Sequence, residues 1–174
     1  MSTHKKVLYL VRHAKSSWKD MSLSDRDRPL NKRGRRSAPD MGRRMAAQDH
    51  RPDIIVSSPA NRALSTAKII VNQLGLDPSE IITDADLYFC GTSGMRGVLA
   101  GMDGRYDKVM MVGHNPSMTD LMNTLGNTYV ANMPTCAIAV IGFDMASWAS
   151  LDSTQGELLG YDYPKGPGNF TALL

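Results

Sequence analysis

Cysteine, histidine, aromatics and long apolar runs are all scarce in this 174-residue chain, and each scarcity closes off a class of protein. Two cysteines, Cys90 and Cys136, are too few for a disulfide framework and read as reduced thiols. Four histidines, none paired at a helical or Cys-x-x-Cys-like ligand spacing, give no grounds for a structural zinc. No stretch approaches the roughly 20 apolar residues of a membrane span. The apolar run 7–11 behind Lys5 and Lys6 is too short for a signal-peptide core, so the expected location is the cytoplasm. Repeats, low-complexity tracts and linkers are also missing, which leaves one domain over 1–174 as the expectation.

What is present is a globular composition, 42% hydrophobic and 21% charged, with a net charge of +3. The charge is uneven. Residues 26–51 carry nine basic side chains against three acidic ones, so the rest of the chain sums to −3. A docking face for an acidic partner is one reading of that segment. The solvated side of an amphipathic helix is the preferred one, because no aromatics interleave for base stacking and nucleic acid is not expected as a partner. Strand-like apolar runs recur at 7–11, 53–56, 81–89, 108–112, 137–143 and 157–163. Helix-like segments fall between them at 32–48, 60–74, about 93–102 and 117–125. This alternation predicts an α/β three-layer sandwich with a mainly parallel central sheet, and the last two strands, with no helix between them, form an antiparallel edge. Pro39 is expected to kink or restart the first helix near Ala38.

Three strand ends agree with one another. The first strand runs into Arg12 and His13. The second runs into "SSPANR", where Ser58 reads as an N-cap, Pro59 as the first helical residue and Arg62 as a first-turn residue. The fourth runs into "VGHNP", with His114 just ahead of Asn115 as N-cap and Pro116 as first helical residue. Ligands in open α/β sheets bind beyond the carboxyl ends of the strands. Arg12, His13, Arg62 and His114 are thereby delivered to one edge beside two helix N-termini, a pocket for a dianionic tetrahedral group. Phosphoryl transfer needs little beyond positioning, charge stabilisation and a nucleophile, and imidazole can be that nucleophile; His13 is the candidate.

With RH after the first strand, "SSPANRALSTA" after the second and "VGHNP" after the fourth, the chain resembles the histidine phosphatase superfamily, whose fold is phosphoglycerate-mutase-like. "RHAKSSW", "DRPLNKRG" and "GHNP" on a short chain resemble its SixA-type phosphohistidine phosphatase branch more closely. The resemblance implies His13 as the phosphorylated nucleophile and Arg12, Arg62 and His114 as the residues holding the phosphoryl group, with no metal or organic cofactor. It implies a phosphorylated protein or a small phosphate ester as partner, and no membrane. Two positions depart from the pattern. Ala14 replaces the usual glycine after the nucleophile, where its methyl is expected to narrow the approach. Many members carry a glutamate after the third strand as proton donor, and the matching place here is Phe89. An alkoxide leaving group needs such a proton, whereas an imidazole titrating near about 6.5 is a far easier leaving group. The missing acid therefore favours phosphohistidine. Asp20, Asp25 and Asp27 are candidate acids, with loop or capping carboxylates the preferred reading.

Alternatives stay open at this point. The same site could serve as a broad small-molecule phosphomonoesterase, or hold a phosphorylated partner without turnover. "CGTSGMR" has the Cys-x5-Arg spacing of cysteine phosphatases at Cys90 and Arg96, set against a buried, unreactive Cys90. Full mutase activity is disfavoured, because the chain has no room for large substrate-capping insertions. Lys15, Ser16 and Ser17 could donate to phosphate oxygens or to their own loop. Trp18, Trp148, Tyr161 and Tyr163 could line the entrance, with core the preferred reading, and Met110 and Met111 read as core filler.

Overall fold

The architecture, given by a computed structural model that describes residues 4–173, is a six-stranded sheet with helices on both faces. In chain order the elements are β1 (Lys6–Arg12), α1 (Lys32–Ala47), β2 (Ile54–Ser57), α2 (Asn61–Gln73), β3 (Ile82–Thr83), α3 (Asp86–Phe89), α4 (Gly91–Ala100), β4 (Lys108–Gly113), α5 (Ser117–Leu125), β5 (Ile138–Phe143) and β6 (Glu157–Asp162). The strands lie in the order β3-β2-β4-β1-β5-β6. The first four are parallel, β5 runs antiparallel to β1, and β6 antiparallel to β5. The expected α/β sandwich, mainly parallel with an antiparallel edge, is the observed one.

Burial follows the two-residue period of the strands. In β1, Leu8 and Leu10 pack with Leu99, Met118, Leu121 and Trp148 on one face. Tyr9 and Val11 pack with Met41, Met45, Ile70 and Val71 of α1 and α2 on the other. With both faces covered, β1 reads as an unbroken apolar run. Met110 and Met111 of β4 are fully buried, one in each layer, as expected of core filler.

The differences from expectation have local causes. α1 runs without interruption through Pro39. The ring forfeits one intrahelical bond, while Ala38, Met41 and Met45 are completely buried on the flanking turns and hold the helix together. The strand expected over 81–89 stops after Thr83. Asp84 Oδ1 accepts from the Asp86 N–H at 2.9 Å, an Asx-type turn that leads straight into α3. α2 begins at Asn61, with Ala60 rather than Ser58 as its cap, and α5 begins at Ser117. Ser58 and Asn115 have other partners, described below. Gly34 of the "DRPLNKRG" stretch has a direct role: a Cβ there would collide with the Lys15 carbonyl oxygen. The glycine lets the start of α1, capped by Asn31 (Oδ1 to the Gly34 N–H, 2.9 Å), pack against the loop after His13.

Candidate active site

The register of the central strands sets the site. Arg12 lies beside Gly113, and Ser57 beside Val112, so β1, β4 and β2 end at one level. His13 is fixed at both backbone ends: its N–H donates to the Gly113 carbonyl at 3.0 Å and its carbonyl accepts from Cys136 N–H at 3.1 Å. The next residue, Ala14, is wholly buried and donates its N–H to Thr66 Oγ1 at 2.9 Å. Its methyl belongs to the core on the α1/α2 face and is not part of the cleft lining, so the expected narrowing beside His13 is corrected.

A cleft of about 460 Å³ opens at this edge. Arg12, His13, Arg62 and His114, the residues picked out in the sequence, all line it, together with Lys15, Ser16, Trp18, Arg28, Asn115 and Thr135. The rings of His13 and His114 are 5.1 Å apart. His13 Nδ1 lies 2.7 Å from the Ala14 carbonyl oxygen, which can only accept; the neutral ring therefore carries its proton on Nδ1 and keeps the Nε2 lone pair. Burial, reinforced by Arg62, Arg12 and Arg28, pulls the His13 pKa down to about 4. At neutral pH it is an uncharged imidazole in a cationic cleft.

His114 behaves similarly. Burial, then His13 and Arg62, lower its pKa to about 3. Its Nε2 is 2.8 Å from Ser58 Oγ, which already accepts from the Ala60 N–H at 3.2 Å. The Ser58 proton is thus free for Nε2, leaving the His114 proton on Nδ1. That nitrogen, Arg12 Nε and Arg62 Nε are the buried side-chain polar atoms without a protein partner among the described residues. All three belong to residues lining the cleft, the donor set an anion requires. Arg12 is held by a single bond, Nη1 to the Met133 carbonyl at 2.7 Å. Asn115 ties the same Met133 carbonyl (3.0 Å) to α5 by accepting from Thr119 N–H and Oγ1.

Arg62 is held from the loop. Its Nη1 donates to the Asp25 carbonyl at 2.6 Å and its Nη2 to Asp25 Oδ2 at 3.0 Å. The same carboxylate accepts from Tyr88 Oη at 2.5 Å and from Arg28 Nε at 3.2 Å. The Tyr88 hydroxyl, with Arg62 and Arg28, holds Asp25 well below the usual carboxylate range, at about 2. Asp25 is a pinned anion at neutral pH, not a proton donor. Phe89, where a family acid was expected, is 80% exposed, and no carboxylic acid lines the cleft among the described residues.

Sequence reading assigned Arg28 to a solvated basic face. It is buried instead, bound to Ser16 Oγ at 2.7 Å and stacked 3.5 Å over the Trp18 ring. Its place in "DRPLNKRG", ahead of a proline and a buried leucine, was the available signal. Trp18 is 71% exposed rather than core, whereas Trp148 and Tyr161 are core. Cys90 is exposed, not buried, and hydrogen-bonding to Asp86 at 3.5 Å raises its thiol pKa. Arg96 pairs with Asp152 at 3.0 Å. Neither lines the cleft, and a raised thiol beside a carboxylate is the reverse of an activated thiolate; the cysteine reading fails here. Among the described residues no group of three or more His, Cys, Asp or Glu is placed to hold a metal, and no helix is long and apolar enough to cross a membrane.

The model of the histidine phosphatase superfamily (branch 1) matches residues 8–88. The match and the solved structures below support a likeness to the histidine phosphatase superfamily, and within that likeness to its SixA type. A crystal structure of the Agrobacterium tumefaciens protein named as a SixA phosphohistidine phosphatase is 28% identical, with a TM-score of 0.77 over 92% of this chain and 99% of that one. A structure of the protein histidine phosphatase SixA complexed with tungstate shares the fold at 22% identity, with a TM-score of 0.77 over 91% of this chain and 97% of that one. An uncharacterized chloroplastic protein of Arabidopsis thaliana is 27% identical over 165 residues, 86% of this chain and 72% of the relative. The likeness to this superfamily and to its SixA-type structures supports phosphatase activity.

Proposed function

We propose that the chain, acting as one domain over 1–174 in the cytoplasm without metal or organic cofactor, hydrolyses phosphohistidine on a protein through a phosphohistidine of its own at His13. His13 Nε2 attacks phosphorus, and the P–N bond to the substrate imidazole breaks as that ring takes a proton from solvent. Water then attacks the enzyme's phosphohistidine, releasing inorganic phosphate and returning the electron pair to Nε2. Arg12, Arg62 and His114 bind the phosphoryl oxygens and the charge that develops on them. The observation carrying this reading is the convergence on one cleft of a neutral imidazole with a free Nε2 and three buried, unpartnered donor atoms.

The substrate class rests on the proton balance. With Asp25 held as an anion and Phe89 turned to solvent, a leaving group that needs an enzyme proton is poorly served. Phosphohistidine and aryl phosphates have leaving groups that need no such proton, and glycerol or sugar phosphates do not. The test is a panel of free phosphohistidine, a phosphohistidine protein, p-nitrophenyl phosphate and alkyl phosphates, compared by kcat/KM. His13→Ala should abolish turnover with the fold intact, while Cys90→Ser retains it. An acid-labile phosphoenzyme should form in wild type and in thiol-alkylated protein. Efficient turnover of an alkyl phosphate with none of phosphohistidine would sink the substrate assignment and leave the His13 mechanism standing. Stoichiometric phosphate binding with no release would make the protein a binding module.

A further inference from the structure

The mouth of the cleft has two unlike lips. Of the large apolar side chains exposed among the described residues, Trp18, Met21 and Leu23 share the loop that follows His13, and Met21 is 93% exposed. Phe89 adds to this side: it adjoins Tyr88, whose hydroxyl is bonded to Asp25 of the same loop. Elsewhere along the cleft, Thr135 lines both the cleft and a smaller recess of about 130 Å³, room for one side chain. That recess is bounded by Arg33 and Lys165 with Tyr163 and Pro164 between. Arg33 and Lys165 form no ion pair among the described residues, and no acidic side chain lines the recess. Other arginines of the basic segment are engaged: Arg44 with Asp40 and Asp162, Arg35 with the Leu30 carbonyl, Arg51 with the Leu74 carbonyl.

We infer that this mouth is a docking surface for a folded phosphorylated protein that carries an apolar patch on one side of its phosphohistidine and a carboxylate on the other. The inference rests on the phosphohistidine reading above and adds the partner's surface chemistry to it. Exposed apolar groups beside a polar cleft gain by being covered, while a small phosphate ester seated in the cleft would leave Met21 in water. The recess shares Thr135 with the cleft and is cationic. A carboxylate side chain two or three residues from the phosphohistidine complements it in charge and size. The two lips thereby fix an orientation: an apolar patch cannot exchange places with a carboxylate without burying charge on one side and wasting it on the other.

The experiment uses phosphohistidine peptides in four forms, with Leu or Ser on one flank and Glu or Lys on the other, in both chain orders, against free phosphohistidine as baseline. In wild type, one order of the Leu/Glu peptide should exceed its Ser/Lys counterpart about tenfold in kcat/KM. Met21→Ser/Leu23→Ser should remove the preference for Leu and keep that for Glu. Arg33→Glu/Lys165→Glu should invert the preference between Glu and Lys. Free phosphohistidine should be turned over alike by wild type and both variants. Equal rates on all of these peptides in wild type, or losses on free phosphohistidine as large as those on peptides, would overturn the docking surface while leaving the catalytic reading intact. Failure of wild type on free phosphohistidine as well removes the substrate reading, and the docking surface with it.

Discussion

The floor of the cleft and its rim are made of opposite kinds of residue, cationic and imidazole side chains below and exposed apolar ones above. On the floor, Arg12, His13, Arg62 and His114 sit at the ends of β1 and β4 and in the first turn of α2, His13 and Arg62 buried and Arg12 and His114 partly so. On the rim, residues 16–27 lie outside the sheet, and their large apolar side chains point into water. One nitrogen each of Arg12, Arg62 and His114 is buried without a protein partner, and large apolar groups of the rim are exposed. Each arrangement is unfavourable in isolation, and in the proposed reading a phosphoryl group relieves the first and a protein surface the second. Asp25 and Arg28 join the two levels, because the loop that carries the rim also grips Arg62.

The largest effects should come from breaking the floor. Replacing Arg12 or Arg62 by Ala should lower kcat/KM on phosphohistidine by a hundredfold or more, about 3 kcal/mol of transition-state stabilisation. Lysine should restore only part, since it lacks the planar fork. Binding offers a second readout. Vanadate at a hundred times its Kd should raise wild-type stability by about 2.7 kcal/mol, seen as a rise in Tm, and leave Arg62→Ala unmoved. Wild-type kinetics in both Arg→Ala variants would remove these arginines from the site.

Next comes the joint. Asp25→Ala releases Arg62 and Arg28 together and should cost on the order of tenfold in kcat/KM, less than loss of an arginine because the guanidinium stays in place. Tyr88→Phe, which removes one hydrogen bond to Asp25, should cost less again. The leaving group separates positioning from acid catalysis. A positioning Asp25 gives the same loss on phosphohistidine and on an alkyl phosphate, whereas a proton donor gives a larger loss on the alkyl phosphate. Only the second result contradicts the pinned anion.

The contrast between floor and rim also explains what could be read in the sequence. His13, Arg62 and His114 announce themselves because strand end, turn and helix start are adjacent in the chain, and burial on both faces makes β1 and β4 continuous apolar runs. Asp25 and Arg28 carry no such signature. Asp25 finds Arg62 and Tyr88 across 37 and 63 residues, and Arg28 in a row of cations looks like any solvated arginine until Ser16 and Trp18 close on it. Ser58 was legible as a cap and serves His114 instead, because a hydroxyl at a strand end has more than one partner within reach. The short edge β3 failed for a related reason: its apolar residues lie on an exposed edge, and the Asp84 turn ends the strand.

A smaller effect concerns acid stability. His13 and His114 titrate near about 4 and 3 when folded and near about 6.5 when unfolded. Between those values the unfolded state binds more protons, so stability must fall as pH drops from about 6.5 towards 4. His50, also lowered by burial, adds to the same slope. His13→Asn/His114→Gln should flatten most of it in urea titrations at pH 7, 6, 5 and 4, leaving the part that belongs to His50. A steeper slope in the double variant would contradict neutral imidazoles on the floor.

The smallest expected effect lies where rim meets floor, at Trp18. Its exposed ring lies under the Arg28 guanidinium at 3.5 Å, a contact worth about 0.5–1 kcal/mol at such a site. Arg28 keeps its bonds to Ser16 and Asp25 when that ring is removed. Trp18→Ala should therefore lower kcat/KM on free phosphohistidine and on p-nitrophenyl phosphate by only about two- to fivefold. Trp18→Phe, which keeps a ring beneath the guanidinium, should recover part of that loss. On an apolar-flanked phosphohistidine peptide the loss should be larger, because the same ring is then also a docking surface. The ratio of the two losses measures how far the rim acts on its own account. A hundredfold loss on the small substrates would place Trp18 on the floor with Arg12 and Arg62, and the division of the cleft into a catalytic level and a selecting level would fail at its boundary.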